Sequence, residues 1–172
     1  MVNENKNENK FDINNEINHL EQNDVGILLR SEKIIQIFNS LKADSAESVW
    51  EKKYEKLIEI GKSWPGLNEE SKTDENKIKG CQSQVWIKAE LKGDKVLFYA
   101  DSDALIVKGL VAIVVQVFSN STPDEIIQFE PVFLKEIGFD TGLSPSRANG
   151  VYSMIKQIKY YGTAFKYLLS KT

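Results

Sequence analysis

The chain of 172 residues has one cysteine, Cys81, one histidine, His19, and only four prolines. A single cysteine excludes an intramolecular disulfide, and alone it cannot supply the three or four ligands of a structural zinc or a stable cluster. The lone histidine stands in a polar stretch far upstream of the cysteine. A cysteine–histidine nucleophile pair of the protease type is therefore not expected, and His19 reads as a surface residue. Basic charge is not in excess either. Lys and Arg number 22 against 25 Asp and Glu, a net charge of −3, which argues against nucleic acid as a partner. The most apolar stretch, 104–118, is broken by Lys108 and Gln116 and is shorter than the ~20 residues needed to cross a bilayer. The N-terminus offers no continuous apolar segment of the export type, so a cytoplasmic protein with no membrane partner is expected.

Residues 1–24 are rich in Asn, Glu and Lys and poor in aromatics, a composition that buries too little apolar surface to offset the entropy of ordering. We expect residues 1–30 to form a mobile polar extension and 31–172 to form one domain. Within the extension, Ile13, Ile17 and Leu20 have the spacing of a short amphipathic helix, should a surface pack against them. Ser31 is a fair N-cap for a helix carrying Ile34, Ile35, Phe38 and Leu41, and Asp44 with Glu47 has the capping-box spacing. The helix that follows carries Trp50, Tyr54, Leu57 and Ile58 inward and is expected to end at Gly61. From Lys62 to Lys79 the chain is polar and holds Pro65 and Gly66, which marks a loop.

The period then changes. Val85, Ile87, Ala89 and Leu91 alternate with polar or aromatic neighbours, Lys92-Gly93-Asp94 makes a turn, and Val96 to Tyr99 returns as a partner strand. Ser102 or Asp103 can cap the next helix, whose residues Leu105 to Phe118 are apolar nearly all round, as in a helix at the centre of a core. Thr122-Pro123 followed by Glu125 starts a short helix, and Ser144-Pro145 starts a last one running to about Leu169. Its lysines, Lys156, Lys159, Lys166 and Lys171, read as a solvated face. Helices, one hairpin and more helices, without the alternation of a parallel sheet, define an α+β fold: a small antiparallel sheet packed against several helices.

Cys81 is the residue with reactive chemistry. Free cysteines are most often inert and buried, yet Gly80 before it and Gln82, Ser83 and Gln84 after it place this one at a polar loop end, where function concentrates. The segment Thr73-Asp74-Glu75-Asn76-Lys77-Ile78-Lys79-Gly80-Cys81-Gln82-Ser83-Gln84-Val85-Trp86 closely resembles the active-cysteine segment of the SufE family of sulfur acceptors. The resemblance continues, in order and spacing, through Asp101-Ser102-Asp103-Ala104, Ile106-Val107-Lys108-Gly109-Leu110 and Leu143-Ser144-Pro145-Ser146-Arg147. It spans roughly Ile34 to Leu169.

The resemblance implies a fold like that of the IscU scaffold, without the three cysteines with which such scaffolds hold a cluster. It implies that Cys81 takes sulfane sulfur from a SufS-type cysteine desulfurase as a persulfide and stimulates that enzyme. It further implies delivery to an iron–sulfur scaffold such as a SufBCD-type complex. On this reading the chain is an accessory sulfurtransferase rather than a stand-alone enzyme. It holds no cofactor, and pyridoxal phosphate belongs to the partner. A relay to another acceptor, as in CsdE relatives, and a non-catalytic regulator of the desulfurase are the alternatives. A homodimer is left open.

Only the thiolate attacks sulfur, and a free thiol is a few per cent ionised at neutral pH, so nearby positive charge is expected. Arg147 is the candidate for it, or else ties the last helix to Asp101 or Asp103. Asp101 to Asp103 are expected to cap the core helix and border the cysteine loop. Gln82 and Gln84 are expected to brace the loop by hydrogen bonds, and Trp86 to pack under a helix. The loop Lys79 to Ser83 is expected to cover Cys81 until the desulfurase docks.

Overall fold

The computed structural model describes residues 26–172. Helix α1, Ile27–Asn39, begins four residues before the expected cap at Ser31. Gly26 stands at the N-cap, and Ser31 is buried inside the helix with its Oγ donating to the Leu28 carbonyl at 2.7 Å. The earlier start is explained by what α1 buries. Ile27 enters the core, and Arg30 lies only 3% exposed, its Nε donating to the Val117 carbonyl at 3.0 Å. The expected helix through Ile13, Ile17 and Leu20, like His19, lies outside the described residues.

Helix α2, Ala46–Ser63, is capped by Ser45 rather than Asp44, in a reciprocal box with Ser48 rather than Glu47. A serine hydroxyl both donates and accepts, so two serines close the box as well as a serine and an acid do. Gly61 does not end α2. It lies buried within it, because α2 crosses helix α3, Leu105–Phe118, so closely that a Cβ on Gly61 would stand 2.4 Å from the Leu105 carbonyl oxygen. A Cβ on Gly109 would stand 2.1 Å from the Leu57 oxygen. The two glycines mark the closest approach of the helix pair.

Strands β1, Val85–Lys92, and β2, Lys95–Ser102, pair antiparallel from Val85 opposite Ser102 to Lys92 opposite Lys95. The core face of the hairpin packs on α3, which is buried continuously from Gly109 to Phe118. Neither Ser102 nor Asp103 is the N-cap of α3. That position is Ala104, whose N–H donates to Ser102 Oγ at 3.3 Å, while Asp103 turns to the cysteine loop.

Helix α4, Pro123–Gln128, has the expected Thr122 and Glu125 box. Two short helices follow that periodicity does not reveal, α5, Phe133–Glu136, and α6, Phe139–Gly142. Helix α7, Pro145–Ser170, runs 26 residues, about 39 Å at 1.5 Å per residue, and closes the domain over α3 and α4. Two of its lysines meet single carboxylates, Lys159 with Glu130 at 3.2 Å and Lys166 with Asp124 at 2.5 Å. These are exposed pairs that contribute little.

Candidate functional site

The segment before the cysteine is tied to the sheet. Lys77 bridges Trp86, Ile78 N–H donates to the Val85 carbonyl at 2.8 Å, and Ile87 N–H donates to the Asn76 carbonyl at 2.8 Å. Residues 79–84 therefore form a loop between two paired stretches. Trp86 is buried, as expected, with Lys72 Nζ 5.6 Å from its ring centre. At the far end, Gln84 N–H donates to Asp103 Oδ1 at 2.9 Å and Asp103 N–H returns to the Gln84 carbonyl at 3.2 Å. The loop is braced by backbone at Gln84. The side chains of Gln82 and Gln84 are both exposed.

Gly80 has φ +87°, in the left-handed region that a side chain disfavours, and this turn directs the next residue back toward the protein. Cys81 is half-buried against the core. Its Sγ lies 3.9 Å from the Gly150 carbonyl oxygen, a weak S–H contact. A Cβ on Gly150 would come within 3.4 Å of the sulfur. A glycine in a helix interior costs about 1 kcal/mol against alanine, and here a side-chain carbon would meet the sulfur at ordinary van der Waals distance.

The thiol opens on a cleft of about 230 Å³. One wall is apolar, formed by Val85, Val107, Leu110, Val111, Val151 and Met154. The other is polar, formed by the loop residues Gln82 and Ser83 and by Ser144, Ser146 and Arg147 at the start of α7. Ser144, Ser146 and Arg147 put the start of α7 at the cleft, and no acidic residue in its first turn and no Ser144 side-chain cap offset its positive end. Burial pushes the Cys81 thiol above its ordinary value. Burial by itself therefore favours the thiol over the nucleophilic thiolate.

Arg147 shares the cleft with Cys81, but it does not tie α7 to Asp101 or Asp103. Its guanidinium carbon sits 5.7 Å above the Tyr54 ring centre. Asp101 is absent from the cleft wall. It is buried, accepts the N–H groups of Leu67 at 3.0 Å and Ser102 at 2.8 Å, and pairs with Lys72 at 3.4 Å and Lys108 at 3.3 Å. Gly66 makes room for it. With φ +70°, a Cβ there would stand 2.4 Å from Asp101 Oδ2. Asp101 is thus a clamp that fastens the 62–79 loop to β2 and α3. Sequence reasoning missed Gly150 and Tyr54 at the site. The first carried a readable signal as an isolated glycine in a helical pattern, and the second carried none.

Desolvation alone would raise the Asp101 pKa, but the N–H donors and Lys108 outweigh it and hold the carboxyl below the usual range. A group whose folded value is depressed contributes stability above its unfolded value of about 3.9 and loses it as pH falls through the folded value. Asp101→Asn is expected to cost about 1–3 kcal/mol near neutral pH, and the gap to the parent should close as the pH is lowered below about 4. Urea unfolding at several pH values measures this, and a gap that stays constant from neutral pH to pH 3 is incompatible with a charged clamp.

Among the described residues no group of three or more His, Cys, Asp or Glu could hold a metal ion. No described helix is long and apolar enough to cross a membrane.

Comparison with known proteins agrees with the motif. The SufE family, described as an Fe-S metabolism associated domain, matches residues 33–161. An uncharacterised SufE-like protein of Synechocystis sp. is 44% identical over 115 residues, covering 67% of this chain and 72% of that one. An uncharacterised SufE-like protein of Rhizobium meliloti is also 44% identical over 115 residues, covering 64% and 82%. The SufE-like protein 1, chloroplastic/mitochondrial, of Arabidopsis thaliana is 38% identical over 126 residues, 73% of this chain but only 32% of the longer plant protein. In three dimensions the chain is similar to the solution structure of a hypothetical protein from Thermus thermophilus. The TM-score is 0.62 at 18% identity, over 78% of this chain and 94% of the other, a likeness of fold alone. With a family match across most of its length and relatives well above 30% identity, this chain belongs to the SufE family and has a role in iron–sulfur metabolism.

Proposed function

We propose that the chain is a sulfur carrier whose Cys81 accepts a sulfane sulfur from a SufS-type cysteine desulfurase and passes it toward iron–sulfur cluster assembly. The observation that carries the proposal is the placement of the chain's only cysteine, half-buried, at the mouth of a cleft whose polar wall holds a cationic side chain and a helix N-terminus. The Cys81 thiolate attacks the terminal sulfur of the partner's persulfide. A new S–S bond forms at Cys81, the partner's S–S bond breaks, and the partner's cysteine leaves as a thiolate. One S–S bond replaces another, so no external oxidant is consumed and the step is reversible. The same displacement, with Cys81 as leaving group, hands the sulfur on. A scaffold of SufBCD type is the acceptor that fits a role in cluster assembly.

Pyridoxal phosphate belongs to the desulfurase in this scheme, and the carrier's own contribution is position and shielding. The apolar wall keeps water and reductants from the loaded sulfur, and the cleft has room for the added atom. The loop from Lys79 to Ser83 opens when the partner docks, between its fixed ends at Ile78 and Gln84. The test is mass spectrometry of the chain after incubation with a cysteine desulfurase and cysteine. A gain of about 32 Da, one sulfur atom, on the peptide containing Cys81 is expected, and reversal by a reductant. An unmodified Cys81 beside a working desulfurase refutes the proposal.

A further inference from the structure

Arg147 lines the cleft of Cys81, yet its guanidinium rests on an aromatic ring that belongs to neither the cysteine loop nor the cleft. That ring is held from two directions. Tyr54 projects from α2 and packs against Trp50 at 5.8 Å, and its hydroxyl approaches the Gly142 carbonyl at 3.5 Å. Trp50 occupies the space that a side chain on Gly142 would need, and it also packs against Phe139 at 5.9 Å. Lys53 Nζ lies 4.7 Å from the Trp50 ring and donates to the Ile137 carbonyl at 2.8 Å, which fixes α2 to the chain between α5 and α6. Arginine is a long, flexible side chain with a planar cation suited both to an aromatic face and to an anion. No carboxylate pairs with Arg147 among the described residues, so nothing but the ring competes with the cleft for its charge.

We propose that Tyr54 is a parking position for Arg147: the ring holds the guanidinium off the Cys81 sulfur in the free protein, and docking of the sulfur donor draws it across the cleft. Tyr54 is then a positioning residue that acts through Arg147 and keeps the unloaded carrier unreactive toward adventitious electrophiles. This rests on the sulfur-carrier reading for its purpose, but the arrangement is testable without any sulfur transfer.

The experiment is the rate at which iodoacetamide alkylates Cys81 in the free, full chain at neutral pH, with thermal melts as a check on folding. Tyr54→Leu removes the aromatic face and is expected to raise the rate about threefold, the range of one exposed cation–π contact. Tyr54→Phe keeps the face and should react like the parent. In the Tyr54→Leu background, Arg147→Gln should remove the increase. The single Arg147→Gln change should lower sulfur acceptance from a desulfurase while leaving alkylation of the free chain as it was. A Tyr54→Leu rate equal to the parent's, an increase that survives loss of Arg147, or slower alkylation in Arg147→Gln alone would each overturn the proposal. If Tyr54→Leu fails to fold, the Arg147→Gln arm decides by itself. Absence of the sulfur adduct on the parent chain refutes the carrier reading instead, whatever the alkylation rates.

Discussion

Cys81→Ser is expected to abolish the sulfur adduct completely and to return the desulfurase to its turnover without an acceptor, while the protein itself stays folded. The loss is total because no second thiol exists to take over. A hydroxyl cannot form the S–S bond on which the transfer depends. Stability should change by less than about 1 kcal/mol, since the side chain is half-buried and its only polar contact among the described residues is the 3.9 Å approach to Gly150. Desulfurase assays with and without the variant, paired with thermal melts, separate two readings. A carrier loses stimulation with the thiol, whereas a regulator that merely docks on the desulfurase would stimulate as before.

Gly109→Ala should be the more damaging change to the fold, although it adds one methyl group to a helix. Alanine is favoured over glycine in a helix by about 1 kcal/mol, so on local grounds the change stabilises. The added carbon, however, would lie 2.1 Å from the Leu57 oxygen, 2.8 Å from its carbonyl carbon and 3.0 Å from its Cα. All three are backbone atoms, and no rotamer change relieves the clash. The helices α2 and α3 must separate, and the buried contacts along both loosen with them. We expect a net loss of about 2–3 kcal/mol, or a melting temperature lower by roughly 5–10 °C for a chain of this size. A variant that melts with the parent would mean that the helices do not meet at Gly109.

The elements that periodicity could define were legible in the residues. Strand alternation from Val85 and the all-round apolar run from Leu105 to Phe118 predicted the hairpin and the core helix, because burial on one face or on all faces leaves a readable pattern. Helix ends were less legible. Ser31, Asp44 and Ser102 all have cap chemistry, but Ile27 and Arg30 are drawn into the core ahead of Ser31, and Ser45 and Ala104 hold the other two positions. Tertiary burial overrode local preference in the first case. At the site, the motif located Cys81, and Gly80 gave the reason for its turn. It could not show that Asp101 serves Lys72 and Lys108 some distance from the sulfur, or that Arg147 rests on Tyr54, because both depend on which of several charges or rings the fold brings near.

The pairing of residues 76–78 with 85–87 limits how far the sulfur can travel. Cys81 is the third residue past Ile78, whose N–H is fastened to β1. Even a fully straightened tether of that length reaches only about 10 Å. In the proposed transfer, the carrier therefore does not extend an arm into its donor. The donor's own cysteine must cover the remaining distance, and its chain must be thin enough at that point to reach the mouth of the cleft. Sulfur exchange then depends on two short excursions meeting at a shared surface, and any donor whose reactive cysteine sits deeper than those excursions combined is excluded by geometry, however well the rest of its surface fits.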